Sequence, residues 1–568
     1  METVSKPAAP ARVLAVRPVG TTAVLAELSG LHDVLALQAL LLEQPLPGQV
    51  DVLAAAETVM VKADSPAAAR RMAARLLEMD LTVQSHAEGK LVQIETVYDG
   101  DDLAEVGRLT GLGADGVIAA HTGQVWTVAF GGFAPGFSYM VGENQVLEVP
   151  RRSSPRTAVP AGSVALAGNY SAVYPRKSPG GWQLIGRTAA QMWDLSREQP
   201  ALAAPGDRVQ FSAVRELIEV AVPHAAVDAA ALAAREPDIQ SGLLILSPGL
   251  QSLIQDLGRP GHAGLGVSSA GALDRSSLRR ANRIVGNDPS AAVVESVAGG
   301  LRVQAVGDQV LAVAGAPSAL TVVTPSDVPD PDAPDDADQS DFDQSEQVRE
   351  VPMATAFALL DGEILTIGAP ERGFRSYLAI RGGAAVDAVL GSRSTDTMSG
   401  IGPAPLAAGQ LLGAGAATSS NVVGNPELQP DFPDSGVTVL DIVPGPRDDW
   451  FDAAALESLC AQEWAVTPRS NRVGMRLDGE ALSRSRDGEL PSEGTMAGAL
   501  QIPPEGQPVL FLADHPITGG YPVIGVVVDH QLDLAAQVPI GGSIRFRWAP
   551  GYGLPTGFSH SSPDKVSN

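Results

Sequence analysis

A chain of 568 residues is longer than one hydrophobic core organises, and at about 150 residues per domain it points to roughly three or four domains. Its 65 acidic against 39 basic side chains leave a formal charge of −26, which argues against nucleic acid and anionic membrane surfaces as partners. One cysteine, Cys460, excludes an internal disulfide framework and any multi-cysteine zinc site, and in L-E-S-L-C it reads as a small buried hydrophobe. The opening M-E-T-V-S-K-P-A-A-P has no apolar targeting region and no run reaches the ~20 apolar residues of a membrane span, so the expected location is the cytoplasm.

Residues 1–88 read as a small α+β domain. Arg12 to Arg17, Thr22 to Leu28 and Thr58 to Lys62 are strand-like, and Leu31 to Glu43 is helical. Asp64-Ser65-Pro66 is a helix start, with a capping side chain ahead of a proline, and Ala69, Met72, Leu76 and Met79 then form a buried stripe. Nothing here suggests chemistry, so the unit reads as scaffold.

The next domain, 89–222, opens on the alternating strand Val92 to Tyr98, followed by short helices around Leu103 to Leu109 and Val117 to His121. His121 admits two readings: an imidazolium stabilised by the helix dipole, or a proton-transfer or ligand-binding group beside the glycine loop that follows. That loop, G-F-A-P-G-F-S-Y-M from Gly132, predicts a turn with positive φ at Gly136 and a pocket wall of Phe133, Pro135, Phe137 and Tyr139. Then come V-P-A-G-S-V from Val159 and S-P-G-G-W-Q-L-I-G-R-T from Ser178. Gly and Pro between short apolar runs indicate strands joined by tight turns. These turns also carry Arg151, Arg152, Arg156, Arg176, Lys177 and Arg187 beside the rings of Phe133, Phe137, Tyr139, Tyr174 and Trp182, a composition suited to a cationic, ring-walled pocket for a small anion. Gln183 alternates with Trp182 and Leu184, so it points to the opposite face and, with Arg187, is a candidate for orienting a carboxylate or amide. Lys177 is either a pocket cation or a solvated turn residue.

The Ala-rich stretch 223–240 reads as a linker. After it, within 241–556, stand S-P-G-L-Q-S-L-I-Q-D-L-G-R-P-G from Ser247, S-S-A-G-A-L-D from Ser268 and A-N-R-I-V-G-N from Ala281, where Asn282 and Asn287 suit a helix end. Further on are R-S-Y-L-A-I-R-G-G from Arg375, L-G-S-R-S-T-D from Leu390, S-N-R-V-G-M-R-L-D-G from Ser470, S-E-G from Ser492 and A-D-H-P-I-T-G-G-Y-P from Ala513. The acidic, Pro-rich segment 326–348 cannot bury enough apolar surface to order itself and reads as a disordered insertion, as does the tail 557–568. An internal echo links the halves: Ala161-Gly162 and Gly180-Gly181-Trp182 correspond to Ala497-Gly498 and Gly519-Gly520-Tyr521. Duplication of one small β-barrel explains it.

No self-contained catalytic signature is present: no phosphate loop, no H-E-x-x-H, no G-x-S-x-G. One literal G-x-G-x-x-G, Gly111 to Gly116, follows a predicted helix instead of a strand and reads as a helix-to-helix turn. What remains is dispersed. Arg156, Arg187, Arg259, Arg393, Arg472 and Arg476 offer planar forks to carboxylate or phosphate. Asp256, Asp274, Glu295, Glu493 and Asp514 suit magnesium binding, base chemistry or structural ion pairing, and no metal-ligand set is singled out.

The words of the first half resemble the allophanate-hydrolase-subunit family, which includes the B-type component of ATP-dependent 5-oxoprolinase, and those of the second half resemble the C-type component of the same enzyme. Two departures stand out: Tyr170-Ser171-Ala172 where the family carries Gln-Thr-Gly, and His515-Pro516-Ile517 where it carries Arg-Gln-Thr. The resemblance implies a mixed α/β, mainly β fold with two cyclophilin-like barrels. It implies ATP and magnesium (Mg2+) as cofactors, 5-oxoproline as substrate, a separate A-type subunit as partner, and leaves a homo-oligomer open. Its expected catalytic group is His121, Arg156, Lys177, Glu493 and Asp514. Its expected substrate-binding group adds Ser178, Gln183, Gln255, Asp256, Arg259, Asp274, Arg393, Arg472, Arg476, Gln501, Thr518 and Tyr521 to the Phe133–Tyr139 loop and Arg187. The same paired domains resemble the carboxyltransferase part of urea carboxylase, but no biotinylation word occurs and no bound biotin is expected. Regulation of a histidine kinase is the non-enzymatic alternative.

Overall fold

The computed structural model describes residues 12–81, 89–217, 241–325, 347–417, 421–486, 488 and 490–552; the linker and tail expected at 223–240 and 557–568, and nearly all of the acidic insertion, lie outside them. In the N-terminal unit the strands Ala15–Val19 and Ala23–Glu27 form a hairpin that pairs through Thr58–Ala63 with Gln49–Ala54. The last of these strands follows a Pro-Gly turn, and its alternation is too short to stand out in the sequence. Leu31–Glu43 and Pro66–Leu77 are helices, the second capped by Ser65, whose Oγ accepts the Ala68 amide at 3.3 Å.

Strand alternation gives this small sheet two apolar faces. Val24, Ala26, Val59 and Val61 pack under the helices with Leu37, Leu41, Met72 and Leu76. Ala23, Leu25, Leu53 and Met60 point the other way and pack against Met496, Phe511, Ile517, Val523 and Val526, near the far end of the chain. The unit expected to be scaffold is therefore the layer that joins the first half to the last domain.

Seven strands from Leu91–Thr96 to Arg208–Ala213 make the first barrel. It is nearly closed, because Val97 and Arg187 exchange backbone bonds of 2.9 and 2.8 Å. Helices Leu103–Thr110 and Gly113–Thr122 cover it. The glycine cluster does turn between them, at Gly111 and Gly113 with φ of 74° and 68°, but Gly116 is already inside the second helix.

Residues 241–417 build a layer that the motifs did not separate from the barrel: a six-stranded and a five-stranded sheet enclosing Ile245, Val303, Val313, Leu365 and Leu378. The helix Arg275–Val285 packs on the five-stranded sheet, capped by Asp274 at its start and by Gly286, in the left-handed conformation, at its end. Asn287 Nδ2 reaches Asn282 Oδ1 at 3.0 Å, the helix-end role expected of this pair.

The second barrel closes fully around Val437–Pro444, Val523–Val527, Ala499–Gln501, Val509–Phe511, Gly474–Asp478, Trp464–Val466 and Ser543–Trp548. Ring order is the same in both barrels: the first and last strands are parallel neighbours, and the strands after the echoed glycine words occupy matching places. Each barrel also has a tryptophan indole donating to a helix carbonyl five residues back, Trp126 to His121 at 3.0 Å and Trp464 to Leu459 at 2.9 Å. Duplication is thus carried by topology as well as by sequence. Among the described residues, no helix is long and apolar enough to cross a membrane.

Because Leu25 is fully buried at the joint between the sheet and the second barrel, Leu25→Ala is expected to cost about 2–5 kcal/mol. Urea denaturation should show a lower midpoint at an unchanged slope.

Candidate functional site between the barrels

Each barrel carries a short two-stranded ribbon at one end. In the first, Arg156–Val159 pairs with Ser178–Gly180; in the second, Glu493–Gly494 pairs with Thr518–Gly519. The two ribbons flank one cavity of about 210 Å³, so both copies of the duplicated glycine pair, Gly180-Gly181 and Gly519-Gly520, line the same space. Phe133, Phe137, Tyr139, Tyr174 and Trp182 form its aromatic wall, and Arg151, Ser492 and Thr518 supply its polar side chains. The rings hold one another edge to face, with Phe137 centred 5.3 Å from Tyr174 and 5.5 Å from Trp182. Burial pushes the Tyr174 phenol up to about 12, so it stays protonated and is a hydrogen-bond donor at neutral pH.

The barrels touch at this point. Phe133, at φ 60°, donates its amide to Thr518 Oγ1 at 3.3 Å. Next to it, a methyl at Gly132 would stand 2.5 Å from the same hydroxyl, so only glycine allows the approach. Gly136 has the positive φ the sequence predicts, 77°, and packs against Met192, while Pro135 is buried against the 263–266 loop.

The expected site residues of the first half separate into three groups. Phe133, Phe137 and Tyr139 line the cavity, and Ser178 lies on the ribbon beside it. Arg156 is in the ribbon but engaged: its guanidinium and that of Arg152 converge on buried Asp102, at 2.9 and 2.6 Å, and Asp102 also accepts the Leu184 amide. Burial raises the Asp102 carboxyl but Arg156 and that amide lower it further, leaving it below the usual range. The remaining four lie outside the lining. Arg187 pairs with Asp99 at the surface, Lys177 is exposed, and Gln183 is buried with its amide donating to the Pro150 carbonyl at 3.1 Å. His121 is enclosed in the first barrel, its Nδ1 2.7 Å from the Tyr98 hydroxyl and its Nε2 2.8 Å from Ser171 Oγ. Burial drops its pKa to about 3, so the helix end holds a neutral imidazole and not the imidazolium expected from the dipole alone.

In the second half, Thr518 lines the cavity and Glu493 sits behind Ser492. Arg447 grips Glu493 through Nε, 2.9 Å from each carboxylate oxygen, and reaches Glu27 with Nη1 at 2.6 Å, which Arg17 also holds at 2.6 Å. This chain of charges ties the N-terminal hairpin to the ribbon bordering the cavity. Gln501 supports the ribbon by donating to the Tyr521 carbonyl at 3.2 Å, whereas the Tyr521 ring faces out beneath Arg484.

The other second-half residues form a framework away from the cavity. Arg472 links Glu295, at 2.5 Å, to Asp514, at 2.9 Å, all three essentially without solvent contact, and so bolts the sandwich to the second barrel. Asp256 accepts from Ser392, Ser394 and the Arg393 amide, and Gln255 and Arg259 donate to carbonyls of the same 389–395 segment. Asp274 is a helix cap, its carboxyl pushed up to about 6 by burial and by Asp533. The Arg393 and Arg476 side chains are exposed. His515, one of the departures from the family words, is buried beside Thr495 and Pro516 with its pKa lowered to about 4 by burial.

Comparison with known proteins agrees with this two-part architecture. Residues 14–203 match the carboxyltransferase domain, subdomain C and D, and residues 265–548 match the carboxyltransferase domain, subdomain A and B. The chain belongs to the carboxyltransferase-domain family. It is 34% identical over 310 residues to the C-type component of 5-oxoprolinase from Escherichia coli K12, spanning 54% of this chain and 90% of that protein. Its first half is 42% identical over 132 residues to the B-type component of 5-oxoprolinase from Escherichia coli O157:H7, spanning 23% of this chain and 61% of that one. A solved structure, that of TTHA0988, superposes with a TM-score of 0.75 at 33% identity over 90% of this chain and 96% of its own length. The paired carboxyltransferase halves in this family are therefore present here in one chain.

Tyr174 and Trp182 line the cavity, as the ring-rich stretch around them suggests, whereas Ser492, Gly519, Gly520 and the Arg447–Glu27 tie were not singled out as site members from sequence. The glycine echo was the available signal, since it marks both ribbons. The residues present do not fit Mg2+ with ATP at this place. Among the described residues no carboxylate lines the cavity and no group of three metal-ligating side chains is found, and its volume falls below the ~300–1,000 Å³ of sites for larger ligands.

Arg472→Met should destabilise the protein by about 3–5 kcal/mol in denaturant titrations, because Glu295 and Asp514 then remain buried without a counter-charge. A second expectation concerns pH. The folded state holds His121 at about 3 against an ordinary 6.5, so the unfolded chain binds the extra proton between those values. Stability from this group is complete above about 6.5 and declines as pH falls toward 3; His121→Gln should flatten that part of the midpoint-versus-pH curve.

Proposed function

We propose that this chain is a fused B/C component of an ATP-dependent 5-oxoprolinase, binding 5-oxoproline between its barrels for ring opening to glutamate with a separate A-type subunit. One observation supports this above the rest: a single cavity is lined by ribbons from both halves, and each half is similar to a different component of 5-oxoprolinase. Fusion keeps both walls in one polypeptide.

The chemistry suits such a space. A lactam is held closed by amide resonance, so its opening requires activation of the carbonyl oxygen; ATP supplies this in the proposed reaction, and its binding is assigned to the assembled complex. The part of this chain is to hold the ring. Aromatic walls exclude water and favour a compact planar body, while the Ser492 and Thr518 hydroxyls supply polar contacts on the side facing the second barrel. Through Arg447, Glu493 keeps the second ribbon in position and acts as a support instead of a base.

A carboxyltransferase reading has its own support, since the second half is 30% identical over 328 residues to urea amidolyase of Lachancea kluyveri, covering 53% of this chain and 16% of that protein. The deciding experiment is ATP turnover and glutamate release from 5-oxoproline with magnesium, with and without the A-type partner from the same genome. Glutamate and ADP are expected to appear together and only with the partner present. Absence of both products under either condition would overturn the oxoprolinase reading in favour of carboxyl transfer to a urea-type substrate.

A further inference from the structure

Six cations crowd the sequence around the cavity, but the fold engages most of them elsewhere. Arg152 and Arg156 share Asp102, Arg187 pairs with Asp99, and Arg176 donates to the Met398 carbonyl. Lys177 is exposed and outside the lining. On the opposite side, Arg447 is held by Glu493 and Glu27. Arg151 differs. It lines the cavity, and among the described residues its guanidinium has neither a hydrogen bond nor an ion-pair partner. Its positive field falls on the Tyr139 and Tyr174 phenols of the same wall. Among the described residues no carboxylate lines the cavity to neutralise it.

The cavity is also asymmetric in a way that duplication does not predict. Both glycine pairs face it, but Trp182 turns its ring in while its counterpart Tyr521 turns out, and Arg151 gives the first half the cationic side of the lining. A ligand with one charged end and one compact apolar body therefore has one preferred orientation. We infer that Arg151 is the specificity-determining residue of the site, binding the carboxylate of a small cyclic carboxylic acid whose ring lies against Trp182 and Phe137. This rests on the 5-oxoprolinase reading and adds to it the group that distinguishes 5-oxoproline from an uncharged lactam. A guanidinium fork matches a carboxylate in two parallel hydrogen bonds, and a neutral lactam leaves that fork unused.

The test is direct binding of 5-oxoproline and of 2-pyrrolidinone, the same ring without the carboxylate, to the full chain by titration calorimetry, alone and with the A-type partner. The parental protein should prefer 5-oxoproline by about tenfold or more, Arg151→Ala should remove that preference, and Arg151→Lys should keep part of it. In the partner complex, Arg151→Ala should raise KM for 5-oxoproline about tenfold with kcat changed by less than about threefold. Arg302→Ala, an exposed arginine on a sandwich strand, serves as the unaffected control. Arg151 is exposed, so thermal melting should be unchanged in its variants. If Arg151→Ala retains the full preference, the inference fails while the 5-oxoproline reading stands. If the parental protein binds neither compound in either setting, the reading itself fails and the inference with it.

Discussion

The joint between the N-terminal sheet and the second barrel is the constraint on which the rest of the architecture depends. A four-stranded sheet with helices on one face leaves its other face apolar, and that face must be covered. Leu25, Leu53 and Met60 are covered by Met496, Phe511 and Val526, residues more than four hundred positions away in the chain. The consequence is geometric. Because the same sheet is packed through its other face with the first half, covering it brings the end of one barrel against the end of the other, and the cavity is the space left between their ribbons.

Charge follows the same route. Arg17 and Glu27 on the hairpin meet Arg447 and Glu493 on the second barrel, so the apolar joint has a polar edge that ends beside the cavity. A second joint, Glu295–Arg472–Asp514, fastens the sandwich to that barrel. Buried pairs of this kind add little net stability over apolar packing, but they penalise every arrangement in which one partner is left alone. They specify how the layers sit.

Duplication explains why the site belongs to neither barrel. Two copies of a glycine ribbon related by an internal echo meet face to face, and glycine lets backbones approach where a side chain would clash, as at Gly132 against Thr518. From that near-symmetric frame, divergence has made a polar end and a ring wall. A fused chain keeps both ribbons within one molecule.

Much of this was legible in the residues themselves. Short-range signals carried the helix at Leu31–Glu43, the Ser65 cap, the positive φ at Gly136 and the duplicated barrels, because turn chemistry, capping and alternation act over a few residues. The ring wall followed from the density of Phe, Tyr and Trp in one stretch. Side-chain roles were less accessible. Arg156, Arg187, Glu493 and Asp514 read as functional by type, yet each is held by a partner distant in sequence, and type alone cannot say which charges are already paired. His121 similarly lost its charge to burial among Tyr98, Trp126 and Phe211. By itself the sequence determined the mainly β class, the duplication and the aromatic character of the pocket, all of which local patterns encode. Only the tertiary structure decided where the two halves meet, which cation of the cavity lining is unpaired among the described residues and which carboxylates are structural, because burial and pairing depend on contacts between residues far apart in the chain.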